Sequence, residues 1–425
     1  MTIHVVQPGE TIASIAELYH VPADRLILEN GIPNPNNLVV GQTIVIVYPF
    51  ISYTVQEGDT LGGIAEMHQV SLMQLLRNNP YLSDREYLYP GETIIISYDT
   101  DKIRTIAVGG YVYSYVNRAI LRKTLPYLTF LTVFNYRVNS QGEINNPDDQ
   151  DIVVMAKEYG VVPMMLVSTL SEQGIGNREV AKAILNNPEI QDRMIDNIIN
   201  NIKAKGYLGL NQFVQFLTPE TKNQVENFII KLSTRLKSEG LRFTVTITPR
   251  TNIERTEVTY ENIDYSTISQ YTDAMLFLSY DWGYSLGPPT SATPVNILRN
   301  TISTIIENVP PEKYVLGLPV IGYDWILPYV PGYTIGNAIT SDTAIQLAAD
   351  KGVSIQFSEV SAAPYYFYYN YNELHNVWFK DARSIDTITR LVPEYDLQGI
   401  SIWNNMYFFT QMWFVINNLY DILKL

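Results

Sequence analysis

Eight short apolar runs, rich in β-branched and aromatic residues, recur between helical segments, and this alternation constrains the fold more than any other feature of the chain. The runs are 105–113, 128–134, 161–167, 207–216, 242–247, 274–280, 314–320 and 399–403. Amphipathic helical segments fit between many of them, for instance 179–185, 190–205 and 219–239. Strands apolar on both faces need cover on both, which a parallel sheet wrapped by helices provides. Eight such units predict an α/β fold of the (β/α)8 TIM barrel type. The last two runs lie too far apart for one connecting helix. Residues 322–383 carry tyrosine-rich strand-like pieces at 364–371 and 376–379, so a small α+β insertion is expected there.

The first hundred residues hold a duplication. Val6-Gln-Pro-Gly-Glu-Thr11 returns as Val55-Gln-Glu-Gly-Asp-Thr60, Asn30 as Asn79, and Val40-Gly-Gln-Thr-Ile-Val-Ile46 as Pro90-Gly-Glu-Thr-Ile-Ile-Ile96. In each copy a short strand ends at a glycine turn, and a threonine (Thr11, Thr60) stands where it can cap an amphipathic helix. A second helix, a Pro/Asn-rich loop and a β-branched strand follow, making a βααβ unit. This grammar resembles the LysM domain. The resemblance implies binding of polymers containing N-acetylglucosamine, such as peptidoglycan and chitin. It places the candidate groove at Gly9, Glu10, Thr11 and Ile12 with Asn30, Gly31 and Ile32 in the first copy. In the second copy it falls at Gly58, Asp59, Thr60 and Leu61 with Asn79 and Tyr81. Helix N-terminal amides there can bond acetamido carbonyls over an apolar floor; the same glycines, threonines and asparagines also suit plain turns and caps. The expected organisation is one module over 1–48, a second over 49–98, a linker over 99–104 and the barrel over 105–425.

Composition narrows the partners. A net charge of −14 gives a surface that repels nucleic acid and anionic membranes. There is no cysteine, and His4, His20, His68 and His375 are scattered without ligand spacing, so neither a metal nor another cofactor is expected. The first residues read as a strand rather than a secretory signal, and no apolar run approaches the length of a membrane span. Tyrosine is heavily used, 31 residues against 14 phenylalanines; its amphipathic ring suits sugar stacking and protein interfaces alike.

Barrel chemistry sits at the C-terminal ends of the strands. Those ends offer Asn135-Tyr136, Ser168-Thr-Leu170, Tyr280-Asp281-Trp282, Tyr323-Asp324-Trp325 and Trp403-Asn404. Flat rings with carboxamides and a few carboxylates suit pyranose faces and hydroxyls. The whole chain, through Ser279-Tyr-Asp-Trp-Gly283, Gly287-Pro-Pro289, Gly322-Tyr-Asp-Trp325, Leu327-Pro328, Val377-Trp-Phe-Lys-Asp-Ala-Arg-Ser384 and Gly399-Ile-Ser-Ile-Trp403, resembles the spore cortex-lytic N-acetylglucosaminidases of glycoside hydrolase family 18. The resemblance implies a carbohydrate site at Tyr280, Asp281, Trp282, Tyr323, Asp324, Trp403 and Asn404. In it, Tyr280 and Asp281 contact the acetamido group and Trp403 forms the floor of the sugar site.

The family cleaves with help from the substrate's own acetamide, using an Asp-x-Asp-x-Glu motif on the fourth strand. Alternate strand residues share a face, so the three carboxylates enter the mouth together. Here the matching positions are Asn211, Phe213 and Gln215, and no Asp or Glu occurs from Asn197 to Pro219. Gln215 cannot deliver a proton, and Phe213 offers neither charge nor acceptor. No catalytic residue of the motif is intact. Gln212 is expected to face the helices, where an apolar residue is usual. The expectation is a non-catalytic GlcNAc-polymer binding protein of the spore surface or coat, made in the mother-cell cytoplasm. Two alternatives stand beside it. One is a glycosidase of cortex peptidoglycan with an atypical acid such as Asp281, Asp324 or Glu172. The other is a self-assembling spore-layer protein, contacting itself or other layer proteins through tyrosine-rich patches at 364–371 and 407–413.

Overall fold

The computed structural model describes all residues except 86, 171–175, 250, 255–256, 261–262 and 279–284, and describes only the backbone of 251–254 and 257–260. Eight parallel strands close into a barrel: Arg104–Tyr113, Phe130–Arg137, Val162–Ser168, Gly209–Val214, Arg242–Ile247, Ala274–Phe277, Tyr314–Pro319 and Gly399–Trp403. The eighth strand pairs back onto the first, with Ile400 opposite Val108, so no edge is left open. The six-residue fourth strand is shorter than its apolar run, which continues into the loop at the mouth. A short strand, Tyr420–Ile422, extends the base of the first strand. A hairpin, Thr251–Glu254 with Glu257–Tyr260, follows the fifth strand and was not signalled by the sequence pattern.

The helices wrap the barrel for legible reasons. In Pro188–Lys205, Asn187 accepts from the N–H groups of Glu189 and Ile190, and Pro188 occupies the first turn. Met194, Ile195, Ile198, Ile199 and Ile202 form its buried stripe. Gly206, at φ +78°, ends it in the left-handed conformation. At its foot Lys205 Nζ lies 2.7 Å from Asp149, whose carboxylate also accepts from Tyr136 and Tyr207, each at 2.7 Å.

Between the seventh and eighth barrel strands stands a five-stranded antiparallel sheet, in the order Asn337–Ile339, Gly322–Leu327, Glu373–Trp378, Ala363–Asn370, Gln356–Ser358. Helix Ser341–Lys351 covers one face, packing Ala344 and Ala348 on Tyr366, Tyr368 and Val377. Lys380, at the end of this sheet, is fully buried against Thr293 Oγ1 at 2.5 Å and Ser291 Oγ at 3.3 Å. Desolvation pushes its ammonium down to about 7, whereas an unfolded lysine holds its proton to about 10.4. Between those values the unfolded chain binds more protons, so this residue's contribution to stability improves as pH rises from 7 toward 10. Lys380→Met is therefore expected to raise the unfolding free energy by about 1–4 kcal/mol at pH 6 and by less at pH 9.5, measured by denaturant titration at both pH values.

Each N-terminal repeat forms its βααβ unit. The first pairs Thr2–Val5 with Thr43–Ile46 around helices Ile12–Tyr19 and Ala23–Asn30; the second pairs Pro49–Thr54 with Thr93–Tyr98 around Leu61–Met67 and Leu72–Asn78. Both dock on the C-terminal helix Thr410–Leu419. Gln411 exchanges bonds with Thr43 (2.9 Å to Oγ1, 2.6 Å to the carbonyl) and donates to Asn30 Oδ1 at 3.2 Å. Asn417 donates to Asn78 Oδ1 at 2.9 Å. The first unit also meets the insertion, where Ile355 N donates to Val40 O at 2.8 Å and Arg383 to Gly41 O at 3.2 Å.

Candidate functional site

The mouth of the barrel is aromatic. Trp403, half-buried at the end of the eighth strand, has Tyr111 at 5.3 Å and Phe134 edge-on at 5.2 Å between ring centroids. Tyr113 stacks on the exposed Tyr115 at 5.2 Å and meets Phe134 at 5.0 Å. Burial holds the Tyr113 phenol above its usual pKa, which keeps it a neutral hydroxyl. Tyr111 and Tyr113 were missed as site candidates, yet their spacing of two along the first strand puts them on one face, which was the available signal; Tyr115 follows in the turn after the strand. Asn404 Oδ1 accepts from Met406 N at 3.3 Å, and Asn135 Oδ1 from Ser168 Oγ at 2.7 Å.

The fourth strand carries Asn211 and Phe213, and Gln215 follows one residue past its end. Asn211, deepest, donates to Thr244 Oγ1 at 2.9 Å and accepts from Thr246 Oγ1 at 2.8 Å; Thr246 in turn meets Tyr111 OH at 2.8 Å. Phe213 packs into the cluster of Tyr111, Phe134, Leu276 and Trp403. Gln215 Oε1 accepts from Thr169 N at 3.1 Å and Thr169 Oγ1 at 2.8 Å. Phe216 follows at φ +58°, a conformation costly for a bulky residue. Gln212 is buried among Ala181, Ile184, Met194 and Phe228 beside a cavity of about 50 Å³. Its amide donates to Val167 O and Phe213 O, and its Oε1 has no partner among the described residues.

Tyr323 and Asp324 part company, because consecutive strand residues face opposite ways. Tyr323 lies beside Trp325 at 5.4 Å and opposite Trp378 in the sheet register. Asp324 is buried on the other face, with Oδ2 accepting from Tyr368 OH at 2.6 Å and Oδ1 2.9 Å from His375 Nδ1. Its carboxylate is engaged there rather than offered to the mouth. Tyr280, Asp281, Trp282 and Glu172 lie outside the described residues.

In the repeats most candidate polar side chains bond internally. Thr11 and Thr60 cap their helices through Ser14 N (3.1 Å) and Gly63 N (3.0 Å). Glu10 accepts from Gln7 N at 2.7 Å, which holds its carboxyl below the usual range, and Asp59 accepts from Gln56 N and Tyr53 OH. Asn30 and Asn79 play identical parts. Each amide donates to a helix carbonyl and a strand carbonyl, and each Oδ1 accepts the strand N–H (Val45, Ile95) at 2.7 and 2.8 Å. Asn79→Ala strands these buried groups and is expected to cost about 2–4 kcal/mol, read as a lowered thermal midpoint. Ile12 and Ile32 are buried and Leu61 partly so. Gly9 and Gly58 stand exposed at φ +84° and +88° with open space beside them, while Gly31 abuts Thr410. Tyr81 is half-buried beneath Arg85, 5.1 Å from ring centroid to guanidinium, and burial pushes its phenol up to about 12.

This arrangement, an aromatic cup with amide and hydroxyl groups at the C-terminal end of a closed barrel, can hold sugar rings. Sequence comparison agrees with the fold. The sequence model described as Glycosyl hydrolases family 18 matches residues 174–407, and that of the LysM domain matches 4–47 and 53–97. The chain belongs to glycoside hydrolase family 18 and carries two LysM domains. Among particular proteins, it is similar to the cortical fragment-lytic enzyme of Bacillus subtilis (strain 168), 31% identical over 100% of this chain and 99% of that protein. It also resembles the crystal structure of the spore cortex-lytic enzyme SleL from Bacillus megaterium QM B1551, with a TM-score of 0.81, 31% identity and coverage of 99% and 98% of the two chains. The Bacillus cereus SleL structure gives a TM-score of 0.81 at 27% identity, covering 100% of this chain and 99% of the other.

Proposed function

We propose that this protein binds N-acetylglucosamine polymers, peptidoglycan of the spore cortex above all, and does not hydrolyse them by the family's mechanism. The fourth strand carries this reading. The positions matched to the family's motif, two on the strand and one just past its end, are an asparagine tied to two threonines, a phenylalanine in the cluster that includes Trp403, and a glutamine tied to Thr169. None can give a proton or stabilise a positive oxazolinium-like centre with charge, and a positioned general acid is worth about 10²–10⁴ in rate. Tyr113 and Trp403, both partly exposed, supply stacking faces that need no acid. The relatives named for lysis of spore cortex support that polymer as the ligand and the spore as the site of action; deposition in the coat or surface is part of the proposal. The LysM pair supports retention on the same polymer.

Those same names favour a second reading, a cortex glycosidase whose acid comes from another strand end, with Asp281 and Glu172 as candidates. Mass spectrometry of spore cortex fragments and chitooligosaccharides after incubation with the purified protein, beside a pull-down on the same polymers, separates the two. Binding without new products is the expected result. Products abolished by Asp281→Asn but not by Gln215→Ala would establish the second reading instead.

A further inference from the structure

The two LysM modules are duplicates, yet the loop before the last strand meets different surroundings in each. Gly41 and Gly91 hold corresponding places in that loop, at φ +89° and +90°. Each donates its N–H to the end of the first strand, Gly41 to Val6 O at 2.9 Å and Gly91 to Val55 O at 2.8 Å, so each loop lies beside the turn at 7–10 or 56–59. A Cβ on Gly41 would run into the carbonyl oxygen of Ile355 in the insertion, whereas one on Gly91 would meet nothing within 4 Å among the described residues. Val39 is buried in the insertion's own core with Ala344, Ala348 and Tyr366, while its counterpart Tyr89 is 63% exposed. Earlier in the first module's loop, Gly31, Ile32 and Asn37 leave a crevice of about 20 Å³ against Asp342 and Ile345 of helix Ser341–Lys351, which is room for about one water and not for a sugar ring.

The second module's loop is held open and firm. Glu92 accepts from Tyr89 N at 2.8 Å and from Arg85 Nη1 at 2.7 Å. The Arg85 guanidinium lies over the rings of Tyr81 and Tyr89, 5.1 and 5.3 Å from their centroids. An ion pair and two cation–π contacts therefore fix the Tyr89 ring on its loop, and a ring already ordered loses little further entropy when a ligand covers it. Tyr87, two residues before Tyr89, is 75% exposed. With Arg85 compensated by Glu92, this surface is aromatic with hydroxyl tips, which suits the face and hydroxyls of a pyranose. The contact of this module with the barrel through Asp84 and Lys123, at 2.8 Å, falls ahead of Arg85.

We propose that the duplicates have divided their work: the first module is a clamp that ties the insertion to the C-terminal helix, and the second holds the N-acetylglucosamine polymer, with Tyr87 and Tyr89 as stacking faces. The clamp is made by the bonds of Val40 and Gly41 to Ile355 and Arg383 on one side and of Asn30 and Thr43 to Gln411 on the other. The inference rests on the proposed binding of N-acetylglucosamine polymers and assigns the modules' share of it to one of the two.

Amide hydrogen exchange of the full chain with and without tetra-N-acetylchitotetraose, beside calorimetric titration of variants, tests it. In the wild type the oligosaccharide should slow exchange across 87–92 and leave 30–42 unchanged. Tyr87→Ala combined with Tyr89→Ala, both at exposed positions, should weaken one class of site by about tenfold. Asn34→Ala combined with Asn37→Ala, in the first module's loop, should titrate like wild type. Slowed exchange across 30–42, or a tyrosine double variant that titrates like wild type, would overturn the division of work while leaving the proposed function standing. A wild type that binds no oligosaccharide would overturn both.

Discussion

Phe213→Asp combined with Gln215→Glu is expected to convert the protein into an N-acetylglucosaminidase detectable on chitooligosaccharides. The two positions are two residues apart, 213 on the fourth strand and 215 one residue past its end. A glutamate at 215 would sit within reach of Thr169, whose hydroxyl and amide now hold the glutamine. Desolvation at the partly apolar rim would raise its pKa against the lowering effect of those two donors. An aspartate at 213 would stand in the aromatic cluster that includes Tyr111 and Trp403. Gln215→Glu alone should recover little, because an acid without the electrostatic partner leaves the developing positive charge unsupported. The gain expected from the pair is on the order of 10²–10⁴ over wild type, read as reducing ends and product masses. A folded double variant with no turnover would mean that Phe213 marks a remodelled pocket, and the barrel would then serve as a scaffold.

Loss of the Asp149 carboxylate is expected to be the most damaging single change outside the mouth. Asp149 is fully buried and serves Tyr136, Tyr207 and Lys205 at once. Burial, reinforced by this anion, drives both phenols well above their ordinary pKa, so they remain donors at any physiological pH. Asp149→Ala would leave a lysine ammonium and two hydroxyls facing the gap, and breaking a buried pair from one side costs about 3–5 kcal/mol. Asp149→Asn should lose less, since it retains an acceptor for one phenol. Thermal unfolding of the two variants checks the order; an alanine variant as stable as wild type would show that water replaces the carboxylate.

The sequence alone determined the barrel, the duplicated module and the absence of Asp and Glu from the fourth strand, because each is written in local pattern. Period-two and helical apolar spacing specify strand and helix. A fifty-residue repeat is visible by self-comparison, and a strand without carboxylates stays without them in any register. The insertion, too, was legible from its tyrosine-rich pieces. Tertiary structure decided how side chains are used, since that depends on neighbours far along the chain. Asn30 and Asn79 read equally well as ligand contacts or as staples, and only the strand N–H groups of Val45 and Ile95 engage them as staples. Asp324 lay one residue from Tyr323 in the sequence, and the pleat turned it toward His375 and Tyr368. The docking of both modules on Thr410–Leu419 pairs residues more than three hundred positions apart. Such contacts carry no local periodicity, so they emerge only when the barrel closes and brings its last helix beside the first hundred residues.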